Sequence, residues 1–85
     1  MYRIEYTKTA LKELKKLPRD LSKRIQAKLE LVAFDPYGHH FMVKKLQGME
    51  GYRLRIGDWR VIYSIQDDKL ILLVIKLGSR GSVYQ

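Results

Sequence analysis

The 85-residue sequence has no cysteine, which excludes a disulfide framework, a thiolate zinc site and a cysteine nucleophile together. It has no internal repeat and no low-complexity tract. Its longest apolar run, Leu70 to Ile75, falls far short of the ~20 residues that span a bilayer. The first residues, Met1-Tyr2-Arg3-Ile4-Glu5-Tyr6, lack the apolar stretch of a secretory signal, so a cytoplasmic protein with no membrane partner is expected. Acidic residues are scarce: nine Asp and Glu stand against seventeen Lys and Arg, a net charge of +8. So much like charge on a small domain costs self-repulsion and points to a polyanionic partner.

What is present is globular. Apolar residues make up 46% and charged residues 31%, and the length fits a single domain over residues 1–85. Tyr2, Ile4 and Tyr6 alternate with Arg3 and Glu5 as in a short strand. From Thr7 the period changes, and Leu11, Leu14 and Leu17 recur among lysines as the apolar stripe of a helix. Pro18 closes that helix and suits the first turn of a second. There Leu21, Ile25, Leu29 and Val32 repeat, until Asp35-Pro36-Tyr37-Gly38 supplies a turn. Residues 35–50 read as the least regular part.

Tyr52-Arg53-Leu54-Arg55-Ile56 then alternates strictly, Gly57-Asp58 is a two-residue turn, and Trp59 to Ile65 is rich in β-branched and aromatic residues. After Asp67-Asp68, Lys69 to Leu77 is almost wholly apolar, as in a central strand covered on both faces. The order β-α-α-β-β-β predicts an α+β fold, with two N-terminal helices on one face of a mainly antiparallel four-stranded sheet.

The two-residue turn predicts a register. It pairs Ile56 with Trp59, Arg55 with Arg60 and Leu54 with Val61. Directly opposed residues share a face, so Arg53, Arg55 and Arg60 converge on one side of the hairpin. Tyr52, Leu54, Ile56, Trp59, Val61 and Tyr63 take the side the helices must cover. Like charges directly opposed are destabilising, and the arginine side carries no acid to offset them. Guanidinium binds phosphate in bidentate fashion, stays charged and stabilises a developing phosphorane, so this side is a candidate anion-binding face.

Other residues carry less. His39 and His40 are adjacent in a loop with no cysteine and few acids nearby, so no metal site is expected. Ser64, Ser79 and Ser82 lack a Ser-His-Asp context. Gly78-Ser79-Arg80-Gly81-Ser82 follows a strand without opening a helix, which is not the setting of a phosphate loop. Beyond the last strand lie Arg80 and Tyr84. A phenol beside several guanidinium groups has its pKa lowered, which suits Tyr84 to act as general base on an RNA 2′-hydroxyl.

Lys45-Leu46-Gln47-Gly48, the stretch from Gly51 to Tyr63, Gly78-Ser79-Arg80 and Val83-Tyr84 together resemble the RelE branch of the RelE/ParE toxin superfamily. So do Ala10-Leu11-Lys12-Glu13-Leu14 and the Leu17-Pro18 junction, and the resemblance spans the whole chain. It implies a toxin of a type II toxin–antitoxin pair, an endoribonuclease that enters the ribosomal A site and cuts mRNA there. The products would be a 2′,3′-cyclic phosphate and a 5′-hydroxyl, formed without a metal ion or other cofactor. The implied catalytic positions are Arg53, Arg55, Arg60, Arg80 and Tyr84. Lys44 and Lys45 join Arg53 and Arg55 as RNA-binding residues.

The implied partners are the ribosome, mRNA and a RelB-like antitoxin with an acidic segment. Ser79 and Gly81 stand where many relatives carry histidine and arginine. Two other functions fit the same fold. One is a ParE-like poison of DNA gyrase, and the other is a module that has lost catalysis and binds only an antitoxin or RNA.

Overall fold

The computed structural model describes residues 1–79. Strand β1 (Arg3–Tyr6) leads into helices α1 (Lys8–Lys16) and α2 (Arg19–Phe34). Strands β2 (Val43–Lys45), β3 (Tyr52–Ile56), β4 (Trp59–Gln66) and β5 (Ile71–Ser79) follow. The sheet runs β1-β5-β4-β3-β2, antiparallel except where β1 lies parallel to β5. It therefore has five strands rather than the expected four. The extra one, Val43–Lys45, has three residues and no alternation to reveal it, and forms because β3 offers an unpaired edge.

The helices cover one face of the sheet. Ala10 and Leu14 from α1, and Ile25, Leu29, Val32 and Ala33 from α2, form one core with Leu54, Ile56, Val61, Tyr63, Leu72, Val74 and Leu77. Leu11 was expected in the apolar stripe but is exposed. Ala10 takes the core position instead, four residues before Leu14, because α1 crosses the sheet on that row. β5 lies inside the sheet, between β1 and β4, yet among the described residues helices cover only one of its two faces, where cover on both was expected. Lys69 and Leu70 belong to a turn, with Lys69 and Leu70 amides bonded to Gln66 and Asp67 carbonyls. No helix among the described residues is long and apolar enough to cross a membrane.

Two local devices set the geometry of the open face. The first is the β3–β4 turn, where Gly57 has φ +58° and Asp58 does not share the left-handed conformation, the pattern of a type II′ turn. The second is a bulge in β5. Tyr63 pairs with Val74 but Ile62 pairs with Lys76, so Ile75 is the inserted residue. Its carbonyl accepts a hydrogen bond from Thr7 Oγ1 at 2.7 Å, and Thr7 Oγ1 in turn accepts from the Ala10 amide as the N-cap of α1. One threonine thus caps the helix and satisfies the bulge.

A glycine is required at one more position. Gly51 has φ +126°, and a Cβ there would stand 3.0 Å from the Tyr63 carbonyl oxygen. Its own carbonyl accepts from the Leu46 amide, closing the loop that aligns β2 on β3.

Candidate RNA-binding face

The observed register matches the one read from the turn: Ile56 pairs with Trp59, Arg55 with Arg60 and Leu54 with Val61. Leu54, Ile56, Val61 and Tyr63 are buried under the helices. Arg53, Arg55 and Arg60 consequently project from the open face, by the alternation of the strands. The missed strand adds to this face, because Lys44 is opposite Arg53 and shares its side. Across the sheet, Ile62 is opposite both Arg53 and Lys76, so one row reads Lys44, Arg53, Ile62, Lys76. The neighbouring row reads Arg55, Arg60, Gly78.

Lys76 was not among the residues expected here. Strict alternation from Leu72 and Val74 would have buried it, but the bulge at Ile75 shifts the phase by one and turns Lys76 outward while Leu77 goes in. A run of apolar residues gives no sign of such an insertion. Lys45 is placed differently from Lys44. It pairs with Tyr52 on the helix side, but as the end of an edge strand it still lines a groove with Lys44, Gln47, Met49 and Arg53. Arg80 and Tyr84 lie outside the described residues.

The arginines do not stack against each other. Arg60 Nη1 donates to the carbonyl oxygens of Gly57 at 3.2 Å and of Trp59 at 3.1 Å, which draws its guanidinium toward the turn. Arg55 leans the other way, with Nη2 3.9 Å from Met42 Sδ and its amide bonded to the Met42 carbonyl. In the neighbouring row, between Arg53 and Lys76, lies Ile62, almost fully buried on this face. The result is an apolar floor with guanidinium and ammonium groups around it. Such a surface neutralises phosphates, with arginine the suited partner for a charged transition state.

Nearby titratable groups serve the fold. His40 Nε2 is 2.6 Å from the Asp35 carbonyl and ties its loop together. Asp67 accepts hydrogen bonds from Tyr2 and Tyr37, both at 2.6 Å. These bonds hold the Asp67 carboxyl below its ordinary value, raise the Tyr2 hydroxyl, and push Tyr37 up to about 12. Among the described residues no group of three or more His, Cys, Asp or Glu is placed to hold a metal ion.

The family described as "ParE toxin of type II toxin-antitoxin system, parDE" matches residues 4–84. The Escherichia coli K12 protein named mRNA interferase toxin RelE is 30% identical over 82 residues, 93% of this chain and 83% of that protein. In the crystal structure of the intact E. coli RelBE toxin-antitoxin complex, one chain superposes with a TM-score of 0.81 at 28% identity, over 93% of this chain and 96% of that one. The archaeal RelE-RelB complex from Pyrococcus horikoshii gives a TM-score of 0.80 at 31% identity, over 96% and 98% of the two chains.

Proposed function

The chain belongs to the RelE/ParE toxin superfamily of type II toxin–antitoxin systems, on its RelE-like branch, and from this we propose that it is a ribosome-dependent endoribonuclease cutting mRNA in the A site. One observation carries the reading. Lys44, Arg53, Arg55, Arg60 and Lys76 share the sheet face that the helices leave open. A gyrase-directed protein has no need of converging guanidinium groups, whereas phosphoryl transfer does.

In this reading the 2′-oxygen of one nucleotide attacks the adjoining phosphorus and the bond to the 5′-oxygen breaks. The products are a 2′,3′-cyclic phosphate and a 5′-hydroxyl. Tyr84 takes the 2′-hydroxyl proton, and the departing 5′-oxygen gains one from water. Arginine holds its proton too firmly to act as a base. Arg53 and Arg55 are therefore assigned to positioning the phosphate, Arg60 to the charge on its non-bridging oxygens, and Arg80 to the leaving oxygen. These cations supply charge stabilisation from the protein itself, so the scheme calls for no metal ion.

The related structures are toxin–antitoxin complexes. The partner proposed here is a RelB-like antitoxin whose acidic, partly disordered segment folds over this cationic domain. Cytoplasmic action follows from the same scheme, since both targets are there.

Controlled expression with mapping of mRNA ends tests the proposal. Ribosome-dependent cuts within codons are expected, lost in Arg60→Ala and reduced strongly in Tyr84→Phe with ribosome binding retained. Blocked replication with intact mRNA would overturn it in favour of gyrase. An absence of any growth effect would leave a binding module.

A further inference from the structure

Phe41 is the most exposed large apolar side chain among the described residues, at 83%. It sits in the loop before β2, one residue from Met42, which packs against the core. The loop is anchored at that point. Met42 meets the Arg55 amide through its carbonyl, and the Val43 amide bonds to the His40 carbonyl at 3.0 Å. The ring is thus carried on a fixed stem.

Phe41 lines a groove of about 200 Å³ together with Met42, Lys44, Arg53 and Arg55. Three of those five are cations and none is an acid. A second groove of about 350 Å³, which Met49 helps to line, also contains Lys44 and Arg53. Those two residues are directly opposed across β2 and β3, so they form a ridge common to both grooves. An exposed aromatic ring beside a cationic ridge is the arrangement by which proteins hold single-stranded nucleic acid. The cations take the backbone and the ring takes a base face.

We propose that Phe41 is a nucleobase-stacking platform: single-stranded RNA crosses the Lys44–Arg53 ridge with a phosphate on the ridge and the adjoining base on the Phe41 ring. The proposal rests on the reading of this face as RNA-binding and adds a subsite to it. Stacking is tolerant of base identity, so the platform sets where the strand lies and contributes affinity without selecting one base.

The test measures binding of a short oligoribonucleotide, 2′-O-methylated throughout to prevent cleavage, by fluorescence anisotropy. Phe41→Ala is expected to weaken binding about tenfold and Phe41→Trp to restore it, as a lost and regained stack would. A series of oligonucleotides with one abasic residue should contain one position that costs the wild type the same factor and costs Phe41→Ala nothing. The slope of log Kd against log salt should stay unchanged in Phe41→Ala and fall in Arg53→Ala, which removes a phosphate contact.

If Phe41→Ala binds the intact oligonucleotide as tightly as the wild type does, and every abasic position costs the two proteins the same, the platform is overturned while the RNA reading stands. If the wild type does not bind the oligonucleotide at all, both fall. If Phe41→Ala weakens only the binding of an acidic antitoxin segment, the platform is likewise overturned and the ring belongs to a protein interface.

Discussion

Arg55 and Arg60 oppose each other directly across the β3–β4 hairpin, a like-charge pair that a sheet selected for stability alone would not retain. Opposite charges at such a position favour the pairing, and like charges oppose it. The hydrogen bonds from Arg60 to the turn carbonyls lessen the repulsion without removing it. Arg55→Glu should therefore raise the Tm by about 1–4 °C while abolishing RNA cleavage. Thermal unfolding and cleavage assays on the same preparation check both halves, and a variant that gained stability and kept cleavage would remove Arg55 from the site.

Tyr63 is completely buried, and its hydroxyl has no hydrogen-bond partner among the described residues. Burial raises its pKa well above the ordinary tyrosine value. The ring stacks on Tyr52 with centroids 5.5 Å apart, a contact that phenylalanine keeps. Tyr63→Phe removes only the unpaired hydroxyl and should stabilise the protein by about 1 kcal/mol. Denaturant titration with an unchanged m-value would register it.

Leu70 has φ +54° and is largely exposed. A bulky residue in the left-handed region costs about 1–2 kcal/mol, which asparagine lowers by bonding locally. Its side chain contributes little packing to set against that cost. Leu70→Asn should raise the Tm by a few degrees and leave RNA binding unchanged.

Asp67 joins the β4–β5 turn to Tyr2 at the start of the sheet and to Tyr37 after α2. Its carboxyl is lowered below the ordinary value of 3.8 by those hydrogen bonds. The stability it contributes is present above that value and is lost as the pH falls through the lower folded value. Tyr37 is raised from 10.0 to about 12, so its contribution is present below pH 10 and disappears as the pH rises through about 12. Asp67→Asn should lower the Tm at neutral pH, and the difference from wild type should begin to close below about pH 4 and vanish below the lowered folded value. Absorbance at the tyrosinate band should show two hydroxyls, those of Tyr2 and Tyr37, ionising earlier in the variant than in the wild type.

The hairpin register was legible because a two-residue turn leaves one pairing and strict alternation leaves one facing, so Arg53, Arg55 and Arg60 followed from spacing alone. Lys44 was legible only as a charge. Its strand exists through tertiary pairing with β3, and Val43-Lys44-Lys45 has no pattern of its own. Lys76 was hidden by the Ile75 bulge, which shifts the alternation inside an apolar run. Leu11 and Ala10 changed places because leucine spacing alone does not say which row of α1 meets the sheet. Phe41 was unreadable for a similar reason: only the fold shows that the loop leaves its ring outside the core.

The parallel pairing of β1 with β5 joins Arg3 to Ile71, segments from the beginning and end of the described chain. Contacts so distant in sequence form late, because the loop between them must close before they contribute. During synthesis the β3–β4 hairpin emerges before β5, so β4 still lacks the strand that supports its other edge. The cationic face is complete only after β5 docks and brings Lys76 into its row. The cationic face of a nascent chain is therefore incomplete until nearly all of residues 1–79 have emerged.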